Sequence, residues 1–133
     1  MKKRWMIAIV YLLFIHSLSS FSFSNSKVEF FYNFDKIIHF FEFFLLTLLF
    51  WKPISSFLNL TSINAISLII FIFCSLNGFL DEYHQKFIYG RDSSYGDLLA
   101  DVIGSACGIF YLRLTHKKNL FSDTKFEEIL ESN

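Results

Sequence analysis

Ten residues able to handle protons, ions or polar ligands fall in three short stretches of an otherwise apolar sequence. The first stretch holds Asp35, His39 and Glu42, the second Asp81, Glu82, His84 and Gln85, and the third Arg91, Asp97 and Asp101. Six of these ten are carboxylates. Imidazole and carboxylate groups together supply nitrogen and oxygen ligands for a divalent cation, or an acid and a base for proton transfer. Arg91 and Lys36 add the chemistry for binding an anionic group. At 100° per residue, His39 and Glu42 lie about 60° apart on one helical face, and Glu82 and Gln85 share the same offset. Asp97, Asp101, Gly104 and Gly108 fall on one stripe, so two carboxylates lead into a pair of small residues that lets helices approach closely.

The elements that must position these groups are apolar spans. A bilayer core is roughly 30 Å thick, so a crossing helix needs about 20 residues. Four segments approach that length: Trp5 to Phe23, Ile37 to Trp51, Ile63 to Leu80 and Leu98 to Leu114. Residues 24–36, 52–62 and 81–97 read as the polar connections, and 115–133 as a charged tail. If the chain reverses in lipid as these segments require, the start of the second span, the end of the third and the start of the fourth share one membrane face. A charged side chain deep in a span costs about 2.5–3.5 kcal/mol, so His39, Glu42 and Asp101 are expected to face a polar cavity with partners. Lys36 or Arg91 is expected to pair with one of the carboxylates.

Composition agrees with this reading. The chain has 133 residues, 53% of them apolar and 20% aromatic, with 19 Phe and only one Pro. Twelve basic and twelve acidic side chains cancel. A nucleic-acid binder needs a basic excess and a disordered chain lacks apolar residues, so both classes are excluded. The length allows a single domain. Cys74 and Cys107 both fall inside spans and form no Cys-x-x-Cys pair, which excludes a zinc ribbon or redox motif. Seven Lys and Arg (Lys2, Lys3, Arg4, Lys52, Arg113, Lys117, Lys118) flank one face and four (Lys27, Lys36, Lys86, Arg91) the other. The positive-inside rule then puts both termini in the cytoplasm. The expected fold is all-α, a four-transmembrane-helix bundle with short loops. Residues 1–24 form its first span, or alternatively a signal peptide cleaved near Ser22-Phe23-Ser24. Residues 115–133 form a cytoplasmic tail.

Taken singly, each residue has a plainer explanation. His39 alone reads as a packed or interfacial histidine, and Glu82 as an ordinary loop charge. Gly104 and Gly108 alone are a packing pair, and His16 is an isolated structural or cavity-facing imidazole. The convergence of ten such residues on one end of three spans is what argues for a shared site.

The order and spacing of these pieces resemble the VanZ-like family of small bacterial membrane proteins. The pieces are Asp35-Lys36-x-x-His39-x-x-Glu42, Asp81-Glu82-x-His84-Gln85, Gly90-Arg91 with Ser94 and Asp97, and Asp101-x-x-Gly104-x-x-x-Gly108. Together they cover residues 35–114. Phe43 stands where that pattern often has Tyr, and Asp101 where it commonly has Asn. The resemblance implies a multi-pass protein of the bacterial cytoplasmic membrane, in a family named for a member linked to teicoplanin resistance.

The sequence therefore sets up three functional expectations. One is binding or modification of a membrane lipid or lipid-linked envelope molecule at the outer face, through Asp35, Lys36, His39, Asp81, Glu82, Gln85, Arg91 and Asp97. Another is an intramembrane hydrolase in which His39, Glu42, Glu82, Asp97 and Asp101 hold a divalent metal or act as acid and base. The last is a non-catalytic scaffold or proton-coupled component, with a homodimer as one form.

Overall fold

The computed structural model describes residues 2–20, 29–89 and 93–131, with side chains described over 2–20, 34–89 and 93–115. The described residues form four helices and no strand: α1 (Lys2–Ser19), α2 (Glu29–Phe57), α3 (Ile63–Gln85) and α4 (Tyr95–Glu131). Three helices are long and apolar enough to cross a membrane, over Phe34–Phe57, Ile63–Gln85 and Tyr95–Thr115. The 18 residues of α1 open on Lys2-Lys3-Arg4 and would extend about 27 Å along their axis.

Each helix runs past the boundary that hydropathy suggests. The turns over 29–36, expected in a polar connection, already belong to α2, because the aromatic run Phe30-Phe31-Tyr32 continues the apolar pattern upstream. At its other end α2 passes through Lys52 and Pro53 to Phe57. Pro53 removes one backbone donor but is itself buried in the packing. The helix then stops where Asn59 takes a left-handed φ of 49°. The Leu60 N–H donates to the Ser55 carbonyl at 2.9 Å, closing the wide loop of bonds usual at such a terminus. Ser62 caps α3, its hydroxyl accepting from the Ala65 N–H at 3.5 Å. Asp81, Glu82 and Gln85 complete the last turns of α3 instead of starting a loop. Beyond Thr115, α4 continues unbroken to Glu131, so the expected tail begins as an extension of that helix.

The core lies along the middle of the helices. Phe43, Leu46, Phe50 and Ile54 of α2 pack with Ile66, Ile70 and Cys74 of α3, Ile109 of α4, and Ala8 and Ile15 of α1. The most extensive packing joins α2 to α4. Gly104 makes it possible, since a Cβ there would overlap the Phe40 carbonyl group. A Cβ on Gly108 would come within 2.9 Å of Thr47 Cβ. The outer faces are apolar as well: Leu68, Ile72, Leu76 and Phe79 of α3 are each at least 49% exposed, at a spacing of three or four residues. In water such a stripe would be a large sticky patch, whereas in a bilayer it is the lipid contact.

Candidate functional site

Chain reversal at Asn59 brings the N-terminal turns of α2 and α4 and the C-terminal turns of α3 to one end of the bundle, joined there by the last turn of α1. Two polar networks occupy that end. His39 of α2 and Asp101 of α4 meet at 2.9 Å between Nδ1 and Oδ1, with only 3% and 0% of the residues exposed. One turn outward, Lys36 Nζ stands 3.4 Å from Asp97 Oδ1. Gly96 leaves room for that lysine, because a Cβ there would sit 2.6 Å from Lys36 Cε. Gly78 of α3 does the same for Asp101, whose Oδ2 would be 2.8 Å from an added Cβ. The Ser105 hydroxyl donates to the Asp101 carbonyl at 2.8 Å and continues the polar path inward.

The second network fastens α1 to α3. His16 Nδ1 and Asp81 Oδ1 are 2.8 Å apart. Gln85 Nε2 donates to Asp81 Oδ2 at 3.0 Å and to the Ser19 hydroxyl at 2.8 Å. Asp81, Gln85 and Ser19 are all buried. His16, isolated in the sequence, is thus the half-buried partner of a buried set. Ser19 was the overlooked signal: it lies three residues after His16 on the same helical face.

The two networks differ in completeness. Among the described residues, Glu82 Oε1 and Asp101 Oδ2 are buried and have no hydrogen-bond partner, and buried Asp97 Oδ1 has only the ion-pair contact to Lys36. Glu82 is only 5% exposed. Its Oε2 accepts from the Ser94 N–H at 2.8 Å, which ties the end of α3 to the residue that opens α4. Ser94 in turn caps α4, with its hydroxyl 3.1 Å from the Gly96 N–H and its carbonyl 3.0 Å from the Asp97 N–H. Beside Glu82 a cavity of about 110 Å³ opens between α3 and α4. Phe79, Tyr83 and Tyr95 form its aromatic flanks, and Lys86, Ser93 and Ser94 its polar ones.

Two expected members of the cluster sit elsewhere. Glu42 is turned toward α1, where it interacts electrostatically with Tyr11 and His16, and the Tyr11 hydroxyl donates to its main-chain carbonyl at 3.2 Å. The 60° between Glu42 and His39 is enough to send the two side chains to different neighbours. His84 is exposed. Arg91, with any pairing it makes, lies outside the described residues. For a metal, the convergent set is Asp35, His39 and Asp97, each with one ligand atom within 4.8 Å of the others. A neutral His39 that gives its Nδ1 proton to Asp101 would have Nε2 free as a ligand atom, whereas a protonated His39 would offer none. The Lys36 ammonium already lies against Asp97 in this set.

Comparison with known proteins agrees with this architecture. The VanZ/LLP1 family model matches residues 2–116, which includes α1 as well as the three long spans. The chain belongs to the VanZ/LLP1 family. It is also similar to the uncharacterized protein C11E3.10 of Schizosaccharomyces pombe, at 33% identity over 86 residues, 65% of this chain and 51% of that one. The chain therefore spans about half the length of that relative. No solved structure matches.

Proposed function

We propose that this VanZ/LLP1 protein binds a membrane-associated ligand, a lipid or lipid-linked envelope molecule, at the end of the bundle where α2, α3 and α4 converge. The observation that carries this reading is the Glu82 carboxylate. It is buried, has one oxygen without a hydrogen-bond partner among the described residues, and lines a cavity open between two membrane-spanning helices. A charged group in that position is costly and normally has a partner. Lys36, His39, Asp97 and Asp101 stand behind it as an ordered polar wall, and Asp81 with Gln85 holds the neighbouring helix in place.

In this reading the protein lies in a bacterial cytoplasmic membrane with both termini in the cytoplasm, so the cavity opens at the outer face. The test is a photoreactive lipid incorporated into membranes that hold the protein. Crosslinking mapped to Tyr83, Lys86 or Tyr95 supports the site, and crosslinking spread evenly over the lipid-facing stripe of α3 overturns it. A link to glycopeptides predicts a raised inhibitory concentration of teicoplanin on expression in a susceptible strain, and an unchanged value overturns that link.

A second reading, a metal-assisted hydrolase, is favoured by the approach of Asp35, His39 and Asp97. It requires a cation able to displace the Lys36 ammonium from Asp97. Stoichiometric divalent metal in the purified protein, lost in Asp97→Asn, supports this reading. Protein free of metal after dialysis against a divalent cation overturns it.

A further inference from the structure

We propose that the cavity between α3 and α4 recognises a zwitterionic headgroup in which a primary ammonium stands next to a phosphate, the chemistry of phosphoethanolamine. This deepens the ligand-binding reading above and rests on it.

Four features point to that class. The first is the donor requirement of Glu82. Its Oε2 is held by the Ser94 N–H, the Ser93 hydroxyl interacts with the same carboxylate, and Oε1 is buried with no partner at hydrogen-bonding geometry among the described residues. An anionic acceptor so placed selects a ligand that brings its own N–H, and a cationic N–H forms the stronger kind of bond. The second is the presence of both signs. Lys86 lines the same cavity one helical turn beyond Glu82, and no ion pair joins the two among the described residues. An ammonium directed to Glu82 leaves the adjoining phosphate for Lys86, with the Ser93 and Ser94 hydroxyls as further polar wall. The third is size: about 110 Å³ greatly exceeds the roughly 10–15 Å³ that one water needs, and suits a small headgroup with its chains left outside. The fourth is depth. The cavity lies at the ends of two apolar spans, the level at which headgroups sit, and Phe79 and Leu98 on its rim continue the lipid-facing surface.

The aromatic flanks sharpen the prediction. Phe79, Tyr83 and Tyr95 could attract any quaternary ammonium through their ring faces. Only a primary ammonium also donates a hydrogen bond to Glu82. Phosphatidylethanolamine is therefore favoured over phosphatidylcholine, and over phosphatidylglycerol, which has no cation.

The test uses the full chain purified in detergent, supplemented with each of these three lipids at equal concentration, with retained lipid counted by native mass spectrometry. The expected result is preferential retention of phosphatidylethanolamine. Glu82→Gln keeps an acceptor for the Ser94 N–H and is expected to lower that retention about tenfold, bringing it to the level of phosphatidylcholine. Lys86→Gln, at an exposed position, is expected to lower retention of all three lipids while preserving their order. A preference unchanged in Glu82→Gln overturns the ammonium assignment. Equal retention of all three lipids by the unaltered protein overturns it too, but leaves the broader ligand-binding reading standing. Retention of none overturns the ammonium assignment and the phospholipid form of the broader reading. Soluble glycerophosphoethanolamine separates the two sources of this chemistry. Displacement of the lipid at matched concentration supports a water-borne ligand with the same headgroup, and failure to displace it supports the membrane lipid.

Discussion

At the scale of single residues, the contact between His39 and Asp101 carries most of the polar end of the bundle. Both side chains are removed from water and lipid alike, so each depends on the other. Asp101→Ala leaves the buried Nδ1 of His39 without its partner, and is expected to cost about 3–5 kcal/mol of stability. Asp101→Asn keeps an acceptor at the same place and is expected to cost about 1–2 kcal/mol. Unfolding in mixed micelles, followed by circular dichroism, checks the difference; equal losses for the two variants would mean that volume matters there and hydrogen bonding does not. Hydropathy and helical spacing were sufficient to place both residues at one membrane face. They could not pair them, because 62 residues separate the partners and the angular offset of His39 fits Glu42 equally well. The pair of His16 and Asp81, 65 residues apart, was hidden for the same reason. A lone imidazole in an apolar run has no partner visible in its own helix.

At the scale of elements, the glycines of α4 divide by what they touch. Gly104 faces main chain on α2, which cannot move aside without moving the helix. Gly104→Ala is expected to separate α2 from α4 and to cost about 1–3 kcal/mol, read from the same unfolding measurement. Gly96 faces the end of Lys36, a flexible side chain, and the Ser94 hydroxyl. Gly96→Ala is expected to keep the fold within about 0.5 kcal/mol while pushing Lys36 off Asp97. Similar destabilisation by both substitutions would refute the distinction between a rigid main-chain neighbour and a flexible side chain. For α1, apolar packing of Ala8 and Ile15 is joined by the polar contact of His16 with α3. His16→Leu is expected to raise amide exchange along α1 while α2, α3 and α4 keep their protection, a pattern measurable by hydrogen–deuterium exchange. The existence of the helices was plain from the apolar runs. Their ends were not, since Asp81, Glu82 and Gln85 look like loop residues until their hydrogen bonds inside the bundle are known.

At the scale of the whole molecule, the fold makes a statement about sides. The turn at Asn59 and the connection that follows Gln85 lie at opposite ends of α3. Single cysteines at His84 and Tyr95 are therefore expected to react with an impermeant thiol reagent from one side, and cysteines at Lys52 and Asn59 from the other. Cys107 is exposed and is best replaced in the parent chain, whereas Cys74 is buried. Labelling of positions 84 and 59 from the same side would dissolve the shared site altogether. The lysine and arginine bias predicts that the Asn59 side faces the cytoplasm, so a reagent added outside cells is expected to reach positions 84 and 95 and not 52 and 59. Neutral overall charge concealed the architecture, because it averages a basic face against a carboxylate-rich one.

The clasp between α1 and α3 bears on how the chain survives maturation. Suppose a peptidase severed the polypeptide just after Ser24: His16 and Ser19 would depart together, and the carboxylate of Asp81 and the amide of Gln85 would each lose a partner at the end of the bundle. Such a remnant would present raw polarity to lipid and invite membrane quality-control proteases. The intact mass of the protein recovered from cells is thus expected to include its first two dozen residues.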